Sequence, residues 1–102
     1  MKQTSAQFIV LDANDNIAVA CQELAATTVL ANAGAEQSSV VLQDTIDIGH
    51  KFARRTIEEN ELIIKYQAPI GRATRAIAAG EYVHTHNMVS DYMPTYEIEE
   101  KA

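Results

Sequence analysis

Ala53-Arg-Arg-Thr-Ile-Glu-Glu-Asn-Glu-Leu-Ile63 and Ala73-Thr-Arg-Ala-Ile-Ala-Ala-Gly-Glu-Tyr-Val83 are two versions of one pattern. Both carry alanine first, arginine two residues on, isoleucine at four (Ile57, Ile77), glutamate at eight (Glu61, Glu81) and a β-branched residue at the close. A fainter version, Ala20 to Leu30, keeps the alanine, an apolar residue at four (Leu24) and an apolar close. Each version sets a turn residue, Thr27, Asn60 or Gly80, between two short apolar stretches. Asn and Gly enter left-handed turn conformations at little cost, so the pattern reads as strand, tight turn, strand. The matched arginines, Arg55 and Arg75, read as structural salt-bridge or carbonyl contacts inside the repeat.

The rest of the chain agrees with short strands. Phe8–Leu11, Ile17–Cys21, Ser38–Leu42, Leu62–Tyr66, Pro69–Ala73 and Tyr82–His86 are β-favouring runs, separated by turn formers such as Asp12-Ala-Asn-Asp-Asn16. No apolar helical period persists beyond about ten residues, so an all-α fold is excluded. The expected class is all-β, with at most one or two short helical turns, one of them over Glu23–Ala26. A single domain is expected over 1–90, with 91–102 an acidic tail or linker.

With 102 residues the chain can bury one modest core. A net charge of −6 and a pI near 4.9 exclude nucleic acid and anionic membranes as partners. Apolar runs of about four residues are far too short for a membrane span or a secretory leader. The single cysteine, Cys21, excludes an internal disulfide and multi-cysteine zinc sites, and its apolar neighbours predict a buried structural thiol. A reducing cytoplasm fits these features.

The residues that could carry chemistry are the histidines. His50 lies in Gly49-His50-Lys51, and the others in His84-Thr85-His86-Asn87. A strand over 82–86 would place His84 and His86 on one face beside Tyr82. Two imidazoles so spaced can ligate a divalent ion, or bind while one moves a proton. Alone, His-x-His equally describes a solvated strand end. Lys51 and Arg72 suit contact with an anion, while Asp44 and Asp47 could pair with nearby cations. Tyr66 and the Tyr92/Tyr96 pair read as packing residues. No Ser/His/Asp order, phosphate loop or dinucleotide fingerprint is present.

Taken together, Gly49-His50-Lys51-Phe52-Ala53, Ile64-Lys65-Tyr66, Pro69-Ile70-Gly71-Arg72-Ala73, Ile77-Ala78-Ala79-Gly80-Glu81 and Val83-His84-Thr85-His86-Asn87 resemble the small domain of the altronate/galactarate dehydratase family. Asp15–Ala20 resembles its opening, and the likeness covers roughly residues 8–90. It departs from the family's pattern at Gln67, Thr27 and Asn60, where glycine is common. The resemblance implies a small β-clip fold of the SAF kind. Such a domain is the amino-terminal part, or a separate small subunit, of a sugar-acid dehydratase that removes water from a hexonate in hexuronate catabolism. A related small subunit belongs to sulfolactate sulfo-lyase, where sulfite leaves instead.

The resemblance also implies His50, His84 and His86 as catalytic residues, with Lys51, Arg72 and Asn87 contacting substrate. It implies a divalent metal, ferrous iron, Fe(2+), with Mn(2+) as the alternative, at His84 and His86 together with the large region. The expected partners are a large catalytic subunit or domain and a sugar acid, with homo-oligomerisation left open. The rival reading is a non-catalytic carbohydrate-binding or assembly module.

Overall fold

The computed structural model describes residues 3–4 and 7–90; the expected tail at 91–102, with Tyr92 and Tyr96, lies outside the described residues. Among the described residues, ten short strands form three small sheets. The largest orders β1 (Gln3–Thr4), β2 (Phe8–Val10), β3 (Ile17–Ala20), β6 (Lys51–Ala53) and β9 (Tyr82–Val83) as β1-β2-β3-β6-β9. A second runs β10 (Met88–Val89), β8 (Ala68–Ala73), β7 (Leu62–Lys65), and β4 (Val29–Leu30) pairs with β5 (Val40–Val41). Every pairing is antiparallel. The described helix content is one 3-10 turn, Ala35–Gln37. The all-β class therefore holds. The helical turn expected over 23–26 does not form, because Leu24 is taken into a bridge with Ile46.

The structure reveals a fourth copy of the repeat, from Leu42 to Phe52. The turn of each copy closes with a hydrogen bond from its fourth residue's N–H to its first residue's carbonyl: Thr28 to Ala25 (3.2 Å), His50 to Asp47 (3.0 Å), Glu61 to Glu58 (3.0 Å) and Glu81 to Ala78 (3.0 Å). In each the third residue has positive φ: Thr27 (72°), Gly49 (83°), Asn60 (71°) and Gly80 (85°). That is the requirement of a type II turn, which explains why glycine or asparagine recurs there and why Thr27 is the costly exception.

The copies clasp one another in pairs. Thr27 donates to the Leu42 carbonyl and Leu42 to that of Thr28. Reciprocally, Gly49 donates to Ala20 and Ala20 to His50. The other pair repeats this: Asn60 donates to Ala73 and Ala73 to Glu61, while Gly80 donates to Ala53 and Ala53 to Glu81. Within each pair the central apolar residues form a bridge, Leu24 with Ile46 and Ile57 with Ile77.

The core follows the same division. Ala20, Leu24, Leu30, Leu42, Ile46 and Phe52 lie in one buried cluster, and Ala53, Ile57, Ile63, Ala73, Ile77 and Val83 in another. Each large aliphatic side chain so buried contributes roughly 1.5–3 kcal/mol. Phe8 adds an edge-to-face contact with Phe52, centroids 6.2 Å apart. Asn16 stitches β3 to β7: its side chain donates to the Leu62 carbonyl (2.9 Å) and accepts from Ile64 N–H (2.7 Å).

The β7–β8 hairpin turns through Tyr66 and Gln67, both at positive φ (53° and 67°), the geometry that favours Asn-Gly. The buried Asp15 carboxylate compensates by accepting both of their N–H groups, at 2.7 and 2.9 Å. Gln67 also donates to Asp12 (2.6 Å). This is how the chain tolerates side chains at both positive-φ positions of the turn. Tyr66, expected to pack, is exposed. Cys21, expected to be buried, is also exposed, because β3 ends at Ala20 and Cys21 lies in the exposed bend that follows.

Arg55 and Arg75 do form the structural contacts expected of them. Each bonds the glutamate six residues on, Glu61 (2.5 Å) and Glu81 (2.6 Å), and donates to the carbonyl of the next residue. Each glutamate also accepts an N–H of its own turn, from Glu58 or Ala78. The Arg55 hydrogen bond holds Glu61 below the usual carboxylate range against the opposing effect of burial. For Glu81 burial works the other way, but the Ala78 N–H and Arg75 outweigh it, so its pKa is also lowered. A lowered folded-state pKa stabilises above the unfolded value and is lost as pH falls through the folded one. Urea midpoints should therefore drop between about pH 5 and pH 3. The double variant Glu61→Gln/Glu81→Gln should flatten that slope, by about 0.2–1 kcal/mol per exposed pair. An unchanged slope would show the pairs to be energetically idle.

Candidate functional site

At the fourth copy the repeat changes its chemistry. The slot that holds Arg55 and Arg75 elsewhere holds Asp44, and the glutamate slot holds His50. The intramolecular clamp is therefore gone, and both side chains reach instead to Tyr82, in the neighbouring strand. Asp44 accepts the Tyr82 backbone N–H (2.9 Å), and His50 Nδ1 lies 2.7 Å from the Tyr82 hydroxyl.

Tyr82 is the centre of a ring cluster. Its centroid is 5.6 Å from His50, 5.6 Å from His84 in a stacked arrangement (16° between planes) and 5.3 Å from His86. His50 and His84 are themselves 5.6 Å apart. The three histidines, distant in sequence, share one patch. His50 is half-buried, while His84 and His86 are exposed and open to a ligand or a partner.

The route differs from strand alternation. β9 ends at Val83, and His84 to Asn87 form a turn. Asn87 builds it: Oδ1 accepts the His84 N–H (3.0 Å), Nδ2 donates to the Tyr82 carbonyl (2.7 Å), and its own N–H bonds the His84 carbonyl (3.1 Å). Asn87 is fully buried, so the structure gives it the part of positioning His84.

Lys51 is not brought to the rings. Phe52 and Tyr82 are partners in register and both pack on the first core, whereas Lys51 pairs with Val83 of the second. Successive side chains leave opposite faces of a strand, so Lys51 and the His50–Tyr82 pair are on opposite sides of the sheet. Burial, and secondarily Lys65, lower the Lys51 pKa. Arg72 lies on β8 and donates to the Asn60 carbonyl (2.7 Å).

The residues that sequence reasoning passed over are Asp44 as a brace, Tyr82 as the hub and the buried Arg54. The displaced Arg-Glu slots of the fourth copy were the available signal for the first two.

Among the described residues no group of three or more His, Cys, Asp or Glu is placed to hold a metal ion. His84 and His86 offer at most part of a first-row ion's donor set, so the described residues do not by themselves fit the implied metal. No described helix is long and apolar enough to cross a membrane.

A small all-β domain built from a fourfold turn repeat, with an exposed histidine cluster at one sheet edge, is the class these observations define. The chain belongs to the altronate/galactarate dehydratase SAF domain family, whose model matches residues 6–91. It is 42% identical over 81 residues to altronate dehydratase of Escherichia coli (strain K12), covering 79% of this chain but 16% of that enzyme. It is 38% identical over 80 residues to altronate dehydratase of Bacillus subtilis (strain 168), again over 16% of its length. Against (2R)-sulfolactate sulfo-lyase subunit alpha of Chromohalobacter salexigens it is 39% identical over 88 residues, covering 82% of this chain and 94% of that subunit. The chain thus spans a small part of the dehydratases and nearly all of the sulfo-lyase subunit.

Proposed function

We propose that this chain is the SAF part, as amino-terminal domain or small subunit, of a sugar-acid dehydratase of the altronate type. It works with a large catalytic region and is inactive without it. The reaction removes water from a hexonate to give a 2-keto-3-deoxy acid. The observation that carries this reading is the convergence of His50, His84 and His86 around Tyr82 in a member of this family.

Elimination from a 2-hydroxy carboxylate needs a base for the C2 proton, an acid for the departing C3 hydroxyl and positive charge near the carboxylate. The C–H pair becomes the enol double bond, the C–O bond breaks, the hydroxyl leaves as water, and the enol ketonises. Imidazoles are suited to both proton transfers near neutral pH. Lys51 and Arg72 belong to the proposal as anion contacts only if the large region brings substrate across their faces. Asn87 acts through the turn that carries His84. Ferrous or manganous ion belongs to it as an ion held largely by the large region, with His84 and His86 contributing.

A second reading keeps the elimination and changes the leaving group to sulfite, supported by the match along nearly the whole sulfo-lyase subunit. The test is to co-purify the chain with its large region and supply Fe(2+) with altronate or sulfolactate. Keto acid from altronate supports the first reading, and sulfite from sulfolactate the second. A stable complex that releases neither overturns the enzyme reading and leaves a carbohydrate-recognising or assembly module.

A further inference from the structure

We infer that Tyr82 is the positioning residue of His50, holding Nδ1 so that Nε2 alone meets the substrate. The inference rests on the enzyme reading above and deepens it. The Nδ1–hydroxyl distance of 2.7 Å is that of a full hydrogen bond. A ring held at one nitrogen has one orientation, and its chemistry is confined to the other nitrogen.

Tyr82 is itself held at both ends by the repeat copy that carries His50. Asp44 takes its backbone N–H and His50 its hydroxyl, so ring and backbone cannot move independently. Its neighbour Val83 is anchored in the second core, and the Tyr82 carbonyl is tied to Asn87. The copies that carry glutamate show what this slot does otherwise: Glu61 and Glu81 are clamped by their own turns. Only in the His50 copy does the slot project across to the next strand.

A hydroxyl anchors the ring in either tautomer, whereas a carboxylate or a carbonyl can only accept from a protonated Nδ1. The hydroxyl donates to Nδ1 when that nitrogen is bare and accepts from it when it carries a proton. In the proton-transfer cycle Nδ1 keeps its proton and donates it in a hydrogen bond to the Tyr82 hydroxyl, so His50 passes between imidazolium and neutral ring at Nε2 alone without losing its anchor. In the elimination, the proton given up at Nε2 goes to the departing hydroxyl, which leaves as water. In the base direction Nε2 takes the C2 proton. Tyr82 keeps its own proton in either case. The His84 ring stacks on Tyr82 at 5.6 Å between centroids and adds a further contact to the phenol.

The experiment uses the complex of this chain with its large region, and compares Tyr82→Phe, His50→Ala and the double variant. Tyr82→Phe removes one oxygen and keeps the ring that packs on the first core and stacks on His84. Turnover should fall about 10- to 100-fold with KM within about threefold, while the unfolding midpoint stays near wild type. The double variant should be no slower than His50→Ala alone, which a residue acting through His50 requires. In the chain by itself, the ¹⁵N signal of His50 Nδ1 should move on Tyr82→Phe, and those of His84 and His86 much less. An inactive His50→Ala beside a fully active Tyr82→Phe overturns this inference and leaves the enzyme reading intact. So do multiplicative losses in the double variant, or an unmoved Nδ1 signal. Full activity of His50→Ala would instead remove the catalytic role of His50 on which this inference stands, while a stable complex without either activity removes the enzyme reading itself.

Discussion

Replacing His50 and His84 together by alanine should lower turnover of the complex with the large region by about 10²–10⁴-fold, the range for losing positioned proton transfer. Folding should be little affected, because His84 is exposed, His50 is half-buried and neither belongs to a core cluster. A loss of activity at unchanged stability therefore separates chemistry from scaffolding. His84 makes the stacked contact on Tyr82 and lies 5.6 Å from His50, so the two losses should be strongly non-additive. Lys51→Ala, on the other side of the sheet, serves as the contrast. If the large region brings substrate only to the ring patch, that variant should cost far less. Wild-type turnover in the double histidine variant would make the rings bystanders.

The sequence carried much of this, and its omissions have physical causes. The apolar slots of the repeat were readable because burial demands the same residue size at the same spacing, as at Leu24, Ile57 and Ile77. The copy from Leu42 to Phe52 was hidden because its polar slots do something else. Asp44 and His50 erase the Arg-Glu signature, while Ile46 and Gly49 keep the shape. The gathering of the three histidines was legible only through the family resemblance. Its mechanism, a turn built by Asn87, looks in sequence like a continuing strand, because Tyr82 to His86 alternates acceptably. Lys51 adjoins His50 in sequence, yet strand alternation sends the two to opposite faces. Cys21 followed an apolar run, but burial ends where the strand does. Arg54 looks like Arg55 in sequence because nothing local separates a buried guanidinium from an exposed one. The difference lies in loops some 20 to 40 residues away in sequence, at Ala33 and Gly34 and at Ala13 and Asp15.

Arg54→Met should be the most damaging single change to stability, lowering it by about 3–5 kcal/mol. The guanidinium is buried and donates four hydrogen bonds. Nε donates to Ala33 (2.8 Å), one terminal nitrogen to Asp15 (2.6 Å) and Ala13 (3.2 Å), and the other to Gly34 (3.0 Å), all carbonyl oxygens. Burial lowers its pKa while the Asp15 charge opposes this, but an arginine so placed remains charged near neutrality. Methionine retains much of the apolar stem and removes the fork, leaving carbonyls of two loops without their donor. One of those loops contains Asp15, whose carboxylate caps the strained Tyr66–Gln67 turn, and the other contains Ala33 of the first core. Arg54 follows Ala53 of the second core, so its loss should loosen the two halves together. Arg54→Lys should recover only a fraction, because a single ammonium cannot span carbonyls held by a planar fork. Urea unfolding of the three proteins measures this directly. A methionine variant within about 1 kcal/mol of wild type would mean that solvent satisfies those carbonyls and the two halves hold through their strands alone.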